Sequence, residues 1–329
     1  MTNIFDKIKN ELPGVQENIL LENYTTYKIG GPAKYFFIAK KREDLMLALK
    51  AAKNFKLPLF IFGGGSNLLV SDKGFKGLVV KIDISDTKII DNKVAVGAGV
   101  NTTMLANELA NNGLSGLEWA AGIPGTIGGA IYGHAQAFGA KISDDIKSVE
   151  AVNLKTLTVK TFAKEQCNFS LKNSIFKKNK NLVIISVVFE FRKSDVAQIK
   201  AKIKENLNYR KTHHPVNLPS AGSTFVNPQR KIKNKKLLSE FPELKEYNES
   251  GVLRAGYLIA KVGLAGKRIG NAQISEKHCN FIINLGKGPG GCPAKDVLSL
   301  INLAKKKVKK KFGVVLEPEV QFVGFRKIK

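Results

Sequence analysis

The stretch from Trp119 to Gly139, WAAGIPGTIGGAIYGHAQAFG, constrains this chain more than any other. It holds six glycines (Gly122, Gly125, Gly128, Gly129, Gly133 and Gly139), several alanines and no charged residue. Glycine admits positive φ and lets one main chain come close to another group. A loop with so few side chains presents mainly its N–H groups, and converging N–H groups bind anions or flat polar rings. Two readings follow from the residues. The stretch is a cofactor cradle, or it is a tightly packed turn whose residues are small for steric reasons alone.

A second glycine turn lies upstream. The short apolar run PLFIF (58–62) fits a buried strand and enters Gly63, Gly64, Gly65, Ser66 and Asn67, after which LLV resumes a strand. Bare N–H groups with two short polar side chains beside them suit a pyrophosphate. As a lone motif the turn has little specificity, because glycine turns between strands are common. Several nucleotide and hydrolase motifs are missing. No GxxxxGK[ST] P-loop occurs, and Gly97-Ala98-Gly99 lacks the third glycine of a dinucleotide-binding turn. The central stretch reads GxxGxxG instead. His134, His213, His214 and His278 have no metal spacing, so no metal is expected. No GxSxG elbow is present. Two glycine-rich turns on a β-rich scaffold therefore point to a nucleotide or flavin fold outside the Rossmann pattern.

Around these turns the chain reads as alternating short elements. Residues 1–23 look like a helical lead-in. Gly30–Gly31–Pro32 makes a turn into a strand, and Glu43 to Phe55 carries a helical stripe of Leu45, Leu49, Ala52 and Phe55. Strands are expected at 77–84 and 93–99. Asn101 caps a helix closed by Gly113. A hairpin at 150–154 and 157–162 and a strand at 182–191 complete this α+β region. Asp195 to Arg210 predicts a helix with Val196, Ile199, Ile203 and Leu207 on one face. Residues 228–252 carry many charges and few periodic apolar positions, and read as an inserted surface segment. A helix at 257–262, a strand at 281–284, a glycine loop at 286–291, a helix at 295–312 and a final strand at 314–325 close the chain.

Composition narrows the function classes. With 329 residues, 43% hydrophobic and 24% charged, the chain is globular and long enough for two or three domains. The opening MTNIFDKIKN lacks the apolar core of a secretory signal, and no run of about 18 apolar residues exists to span a membrane. Three widely spaced cysteines, Cys167, Cys279 and Cys292, form no disulfide framework and suit a reducing cytoplasm. The formal charge of +26 is spread along the chain rather than gathered in one block. It would attract an anionic small molecule such as a nucleotide sugar, and nucleic-acid binding is not expected as the main role.

Five motifs in order then become specific: TTYKIGGPA (25–33), GGGSNLLVSDKGFKGLVV (63–80), GLSGLEWAAGIPGTIGGAIY (113–132), SAGSTFVNP (220–228) and LEPEV (316–320). Together they closely resemble the MurB-type UDP-N-acetylenolpyruvoylglucosamine reductase family in its compact form, over about residues 20 to 325. The resemblance implies a vanillyl-alcohol-oxidase/PCMH-type FAD-binding domain of two α/β subdomains (24–193, divided near 85) and an α+β substrate domain (194–329). It implies non-covalent FAD held by Gly63, Gly64, Gly65, Ser66 and Asn67 and by Gly122, Ile123, Pro124, Gly125, Thr126, Gly128 and Gly129. It implies NADPH as co-substrate and a UDP-sugar enolpyruvyl ether as substrate, in a cytoplasmic protein expected as a monomer. The alternative is a divergent flavoprotein oxidoreductase on the same scaffold with altered substrate or reduced activity.

The chemistry implied is reduction of an α,β-unsaturated carboxylate, a poor hydride acceptor because negative charge builds on it. Positive charge or a donated proton must meet that carboxylate in the transition state. Hydride from flavin N5 goes to C3, and a proton must reach C2. Ser223 matches the family's proton donor, and the basic intermediate can take a proton from an intrinsically weak hydroxyl acid. Glu319 matches the catalytic glutamate, on one strand face with Glu317 and Gln321 by period two. Leu171-Lys172-Asn173-Ser174 stands where the family shows Tyr-Arg-[Asp/Asn]-Ser, so Lys172 replaces an arginine that binds the substrate carboxylate. Lysine supplies charge without the planar fork. His134, Gln136 and Asn271 are further departures. Tyr257, His278 and Asn284 match positions near the UDP-sugar, and each fits a structural hydrogen-bonding role as well.

Overall fold

The run Pro32–Ala39 is apolar along almost its whole length and buried on both faces, which suits a strand inside a parallel sheet. It pairs parallel with Phe75–Ile82, which pairs parallel with Leu59–Phe62. The helix Arg42–Asn54 makes the crossover and buries Leu45, Ala48, Leu49 and Ala52. The computed structural model describes residues 4–288 and 290–325. Three parts of the expected layout therefore lie outside the described residues: the first three of the lead-in, Pro289 of the glycine loop, and 326–329 of the C-terminal domain.

The chain packs as two units. The first comprises residues 1–19, 33–65 and 75–212, and the second comprises 20–32, 66–74 and 213–329. In the first unit, the parallel sheet is followed by a five-stranded antiparallel sheet. Its order is Val159–Ala163, Ile146–Asn153, Leu182–Glu190, Lys93–Gly97, Thr87–Ile90. The expected hairpin is there, with Val149 opposite Phe162. Asn101 caps the helix Thr102–Asn111 through Oδ1, which accepts from the N–H of Thr103 (2.9 Å) and Met104 (3.1 Å).

The second unit is a four-stranded antiparallel sheet, Ser220–Ser223, Phe281–Asn284, Ala272–Ile274, Arg268–Ile269. The helix Ala294–Phe312 buries Val297, Ile301, Ala304 and Val308 in the same core, and its lysines lie on the opposite face. A short parallel pair joins Leu68–Val70 to Gln321–Val323. The strand that resumes after the first glycine turn therefore belongs with the chain's last strand.

Four expectations need correction. The lead-in is a helix only over Ile4–Glu11; Pro13 stops it, and Gln16–Leu20 is a strand. On the helix Val196–His213 the buried residues are Ile199, Ile203, Asn206 and Arg210, while Val196 and Leu207 are exposed. The final strand covers only Gln321–Val323, with an isolated bridge from Pro318 to Phe225 before it. Residues 228–252 are no surface insertion, because Ile232, Leu237, Phe241 and Leu244 are buried in the second core. Their spacing hid this. Two short helices, Lys235–Glu240 and Glu243–Ser250, are separated at Pro242, so no single 3.6-residue stripe runs through the segment.

Candidate active site

The two glycine turns of the first unit lie back to back. A side chain on Gly63 would collide with Thr126 Oγ1, and a Cβ on Gly64 would stand 2.8 Å from Gly125 Cα. Gly122 and Gly125 have φ of 75° and 135°, which only glycine adopts readily. Thr126 then caps the helix Ile127–Gly133. The amides are less bare than the sequence suggests. Gly122 N–H donates to Thr103 Oγ1 (3.0 Å), Ile123 N–H to the Ala120 carbonyl (3.0 Å), and Gly128 N–H to the Ala98 carbonyl (2.9 Å). Ile127 and Gly129 are likewise engaged, with the Val100 carbonyl and Thr126 Oγ1. The amides of Gly64, Gly65, Gly125 and Thr126 have no acceptor among the described residues. The steric reading thus explains Gly63 and Gly128, and the open amides of the two facing bends are what a cradle would require.

Sequence reasoning missed the support beneath this turn. Asn206 Nδ2 donates to the Glu118 carbonyl (3.0 Å). Arg210 donates from Nε to the Ala121 carbonyl (3.1 Å) and from an Nη to the Trp119 carbonyl (2.9 Å). Its guanidinium also lies 5.1 Å from the centre of the Phe138 ring. Burial pushes the Arg210 pKa down, because a charged group in a partly dry site loses hydration. The only available signal was that Asn206 and Arg210 continue, at helical spacing, the face begun by Ile199 and Ile203.

Lys172 also sits in the first unit, at φ 53° on a tight turn. Ser170 and Asn173 exchange both main-chain bonds across it (3.0 Å each), and Lys177 Nζ donates to the Lys172 carbonyl (2.8 Å). His134 braces the same turn. Its Nδ1 donates to the Ser170 carbonyl (2.6 Å), its Nε2 accepts from Ser143 Oγ (2.8 Å), and its ring stacks on Phe169 (4.9 Å). A histidine here therefore has a structural occupation of its own. Asn271 is similarly satisfied, with Nδ2 donating to the Gly291 carbonyl (2.6 Å).

In the second unit Ser223 and Glu319 lie on neighbouring segments. Ser223 pairs with Phe281 at the end of its strand. The next residue, Thr224, accepts from Glu319 N–H at 2.8 Å and donates to the Asn280 carbonyl at 2.7 Å. The Asn280 side chain clasps Phe225 on both sides, accepting from its N–H (3.0 Å) and donating to its carbonyl (2.9 Å). Asn67 completes the arrangement, with Nδ2 donating to the Glu319 carbonyl (3.1 Å). One end of the first glycine motif is thus spent on holding the glutamate's main chain. Nothing in the residue pattern distinguished Asn280 beforehand.

The three weaker positions divide. Asn284 is 3% exposed, donating to the Tyr27 carbonyl (2.9 Å) and accepting from Gly286 N–H (2.8 Å). It ties two loops together. His278 Nδ1 accepts from Asn280 N–H (3.2 Å), and its ring meets Phe281 and His214 edge-on at 4.9 and 5.3 Å. Burial pushes its pKa below the ordinary 6.5, and the nearby Arg254 charge adds to this. Tyr257 donates its hydroxyl to Glu243 Oε2 (2.8 Å). Burial, and then that carboxylate, raise the Tyr257 pKa, so the phenol stays protonated.

Comparison with known proteins bears on this arrangement. A family model described as an FAD binding domain matches residues 33–161. A second, described as the UDP-N-acetylenolpyruvoylglucosamine reductase C-terminal domain, matches 214–323. The UDP-N-acetylenolpyruvoylglucosamine reductase of Lachnoclostridium phytofermentans is 39% identical, over 92% of this chain and 91% of its own length. That of Bacillus pumilus is 37% identical, over 97% and 99%. This chain belongs to the UDP-N-acetylenolpyruvoylglucosamine reductase family. The crystal structure of UDP-N-acetylenolpyruvylglucosamine reductase (MurB) from Thermus caldophilus superposes with a TM-score of 0.72 at 30% identity, covering 93% of this chain and 98% of that one. The family assignment, the fold class and FAD as cofactor are as the sequence motifs implied. Among the described residues, no helix is long and apolar enough to cross a membrane.

Proposed function

We propose that this member of the reductase family uses FAD and NADPH to reduce a UDP-N-acetylglucosamine enolpyruvyl ether to the muramate product. The observation that carries the reading is that Ser223 and Glu319 lie on neighbouring segments joined by the bond from Glu319 N–H to the Thr224 carbonyl, in a chain of that family. The residues fit FAD. Gly63 and Gly64 cannot carry a side chain, and the open amides of Gly64, Gly65, Gly125 and Thr126 suit a pyrophosphate or a flavin edge. Ile123, Pro124, Gly122, Gly128 and Gly129 shape that bend, and Ser66 and Asn67 close the other. When bound, FAD supplies hydride-transfer chemistry between NADPH and the enolpyruvyl carbon.

Each protein group then has a task. Ser223 holds its hydroxyl proton at C2 of the substrate, where the carbon is most basic after reduction at C3. Glu319 polarises the substrate carboxylate or assists that proton. Lys172 offsets the carboxylate's negative charge through a single ammonium, with less directional hold than a forked guanidinium. Tyr257 and His278 line the side that receives the UDP-sugar, with Asn284 bracing from behind. The flavin-binding role falls to residues 24–193 and the substrate role to 194–329. Asn206 and Arg210 belong to the later part by sequence and serve the flavin turn by packing. In this reading the protein is a cytoplasmic monomer without a nucleic-acid partner, and its three free, buried thiols suit a reducing compartment.

Rapid-mixing kinetics under anaerobic conditions test the reading. NADPH should bleach the bound flavin, and the UDP-enolpyruvyl sugar should restore its colour. Ser223→Ala should leave bleaching intact and slow the restoration about 10²–10⁴-fold, the range for removing a positioned proton donor. Equal slowing of both halves would remove Ser223 from the proposed role. Flavin that NADPH reduces but that no enolpyruvyl sugar reoxidises would identify a divergent flavoprotein instead. Lys172→Arg should retain or raise turnover, and complete loss would refute the carboxylate contact.

A further inference from the structure

The lysines of the helix Ala294–Phe312 have no part in the function above. The apolar face of that helix is spent on the second core. Residues 305–311 read KKKVKKK, six lysines about one buried valine, Val308. Lys306 and Lys310 are one turn apart and point away from the core, and Lys307 and Lys309 are exposed on either side of them. The last three lysines have a local reason for their place, because the C-terminal end of a helix favours cations. That effect fades within the last turn, so it does not account for residues 305–307.

A second basic run lies against this helix end. Arg230 donates from an Nη to the Gly313 carbonyl at 3.3 Å, Lys311 Nζ pairs with Glu240 Oε1 at 2.6 Å, and the Phe241 and Phe312 rings meet at 5.3 Å. The run QRKIKNKK (229–236) buries only Ile232 and leaves Arg230, Lys231, Lys233, Lys235 and Lys236 exposed. Asn248 pins it, accepting from Ile232 N–H and donating to the Ile232 carbonyl, both at 2.8 Å. The cations are thus presented from a fixed backbone.

A lysine-rich composition alone would mix these cations with acids, as on the helix Val196–His213, where Lys202 pairs with Glu205. Here the charge is of one sign. Among the described residues, Glu240 is the one carboxylate that pairs with either run. The chemistry of the patch narrows what it can meet. All its cations but Arg230 are lysines, point charges without the fork or amide that reads a base edge. Phe241 and Phe312 are buried and give a base no stacking face. Two residues beyond Gly313, Val315 is 46% exposed. A phosphate backbone has no use for that side chain, whereas the boundary between headgroups and acyl chains can take it up.

We propose that these two adjoining basic runs form a docking face for an anionic lipid surface. Charge holds the protein against the headgroups, and its folded core stays in water. Nothing in this depends on the substrate or on the chemistry of the flavin.

Co-sedimentation with vesicles tests it. The FAD-loaded full chain is mixed with phosphatidylcholine vesicles, and separately with vesicles containing about one-third phosphatidylglycerol, at about 0.1 M and about 0.5 M salt. Wild type should sediment with the anionic vesicles only, and far less at the higher salt. Each lysine close to such a surface raises partitioning about fivefold, so Lys306→Gln with Lys310→Gln should weaken it by at least about tenfold. Lys200→Gln with Lys204→Gln removes the same charge from another exposed helix face and should stay within about twofold of wild type. All four lysines are exposed, so neither double variant disturbs the core. Wild type that remains in solution with the anionic vesicles would overturn the proposal. Equal weakening in both double variants would also overturn it, because net charge alone would then explain the binding. A DNA duplex bound more tightly than the anionic vesicles at the same salt, and lost in the Lys306/Lys310 variant, would give the face to nucleic acid and overturn the lipid assignment.

Discussion

Asn280→Ala is the sharpest test of how Ser223 is held. Asn280 is 3% exposed and Phe225 is 1% exposed, so the two side-chain bonds between them lie in a dry site. Alanine removes both partners and leaves the Phe225 N–H and carbonyl buried without them. Each orphaned group costs about 1–3 kcal/mol, so the pair should cost about 3 kcal/mol. At about 2–4 °C per kcal/mol for a domain of this size, the apparent Tm should drop by about 6–12 °C. The strand end that carries Ser223 then loses its brace, and if Ser223 is the proton donor proposed above, a displacement of about 1 Å can cost about 10²-fold in rate. Thermal denaturation followed by tryptophan fluorescence and circular dichroism reads the first number. Anaerobic half-reactions read the second, and flavin reduction by NADPH should be unaffected. Asn280→Asp is the control. It keeps an acceptor for the Phe225 N–H but sets a carboxylate against the Phe225 carbonyl, so it should rescue little. A Tm within about 1 °C of wild type would refute the clasp, because two buried unsatisfied groups cannot be that cheap.

Three further outcomes follow from the same structure. Arg210→Met should weaken FAD retention, read by the fluorescence of released flavin, because the Trp119 and Ala121 carbonyls lose their donors; Arg210→Lys should not restore it, since one ammonium cannot reproduce the fork. Gly64→Ala should yield colourless protein, because its Cβ meets main chain at Gly125 that cannot swing away, whereas at Gly133, where a Cβ meets nothing within 4 Å, alanine should be neutral or slightly stabilising by Tm. Stability should fall as pH drops below about 6.5, since the unfolded chain protonates His278 in a window where the folded protein, with its lowered pKa, does not; His278→Gln should flatten that part of the urea-midpoint profile measured between pH 5.5 and 7.5.

The readings that held are those in which a local rule and a tertiary need coincide. Asn101 caps its helix, the 150–162 hairpin pairs as its alternation predicts, and Leu45, Leu49 and Ala52 face the core. Each depends on residues within about two turns of one another, so the pattern is complete in the primary structure. The glycine bends belong here as well, because a positive φ at Gly122 and Gly125 narrows the choice of residue whatever surrounds it. Together with the SAGST and LEPEV motifs they marked the chain as a flavin-binding reductase.

Other features come from residues far apart in the chain, and no window of residues contains them. The pairing of Leu68–Val70 with Gln321–Val323 spans most of the chain, and only folding shows that Asn67 holds the Glu319 main chain. Asn280 and Arg210 look like ordinary polar residues until the backbone groups they satisfy are brought beside them from 55 and 89 positions away. Residues 228–252 read as surface because their apolar side chains are divided between two short helices, and burial of such a set depends on what packs against it. Periodicity reports one face of one element. Satisfying a buried amide or carbonyl is a demand made by the assembled interior, where water is absent and the partner must come from elsewhere in the protein.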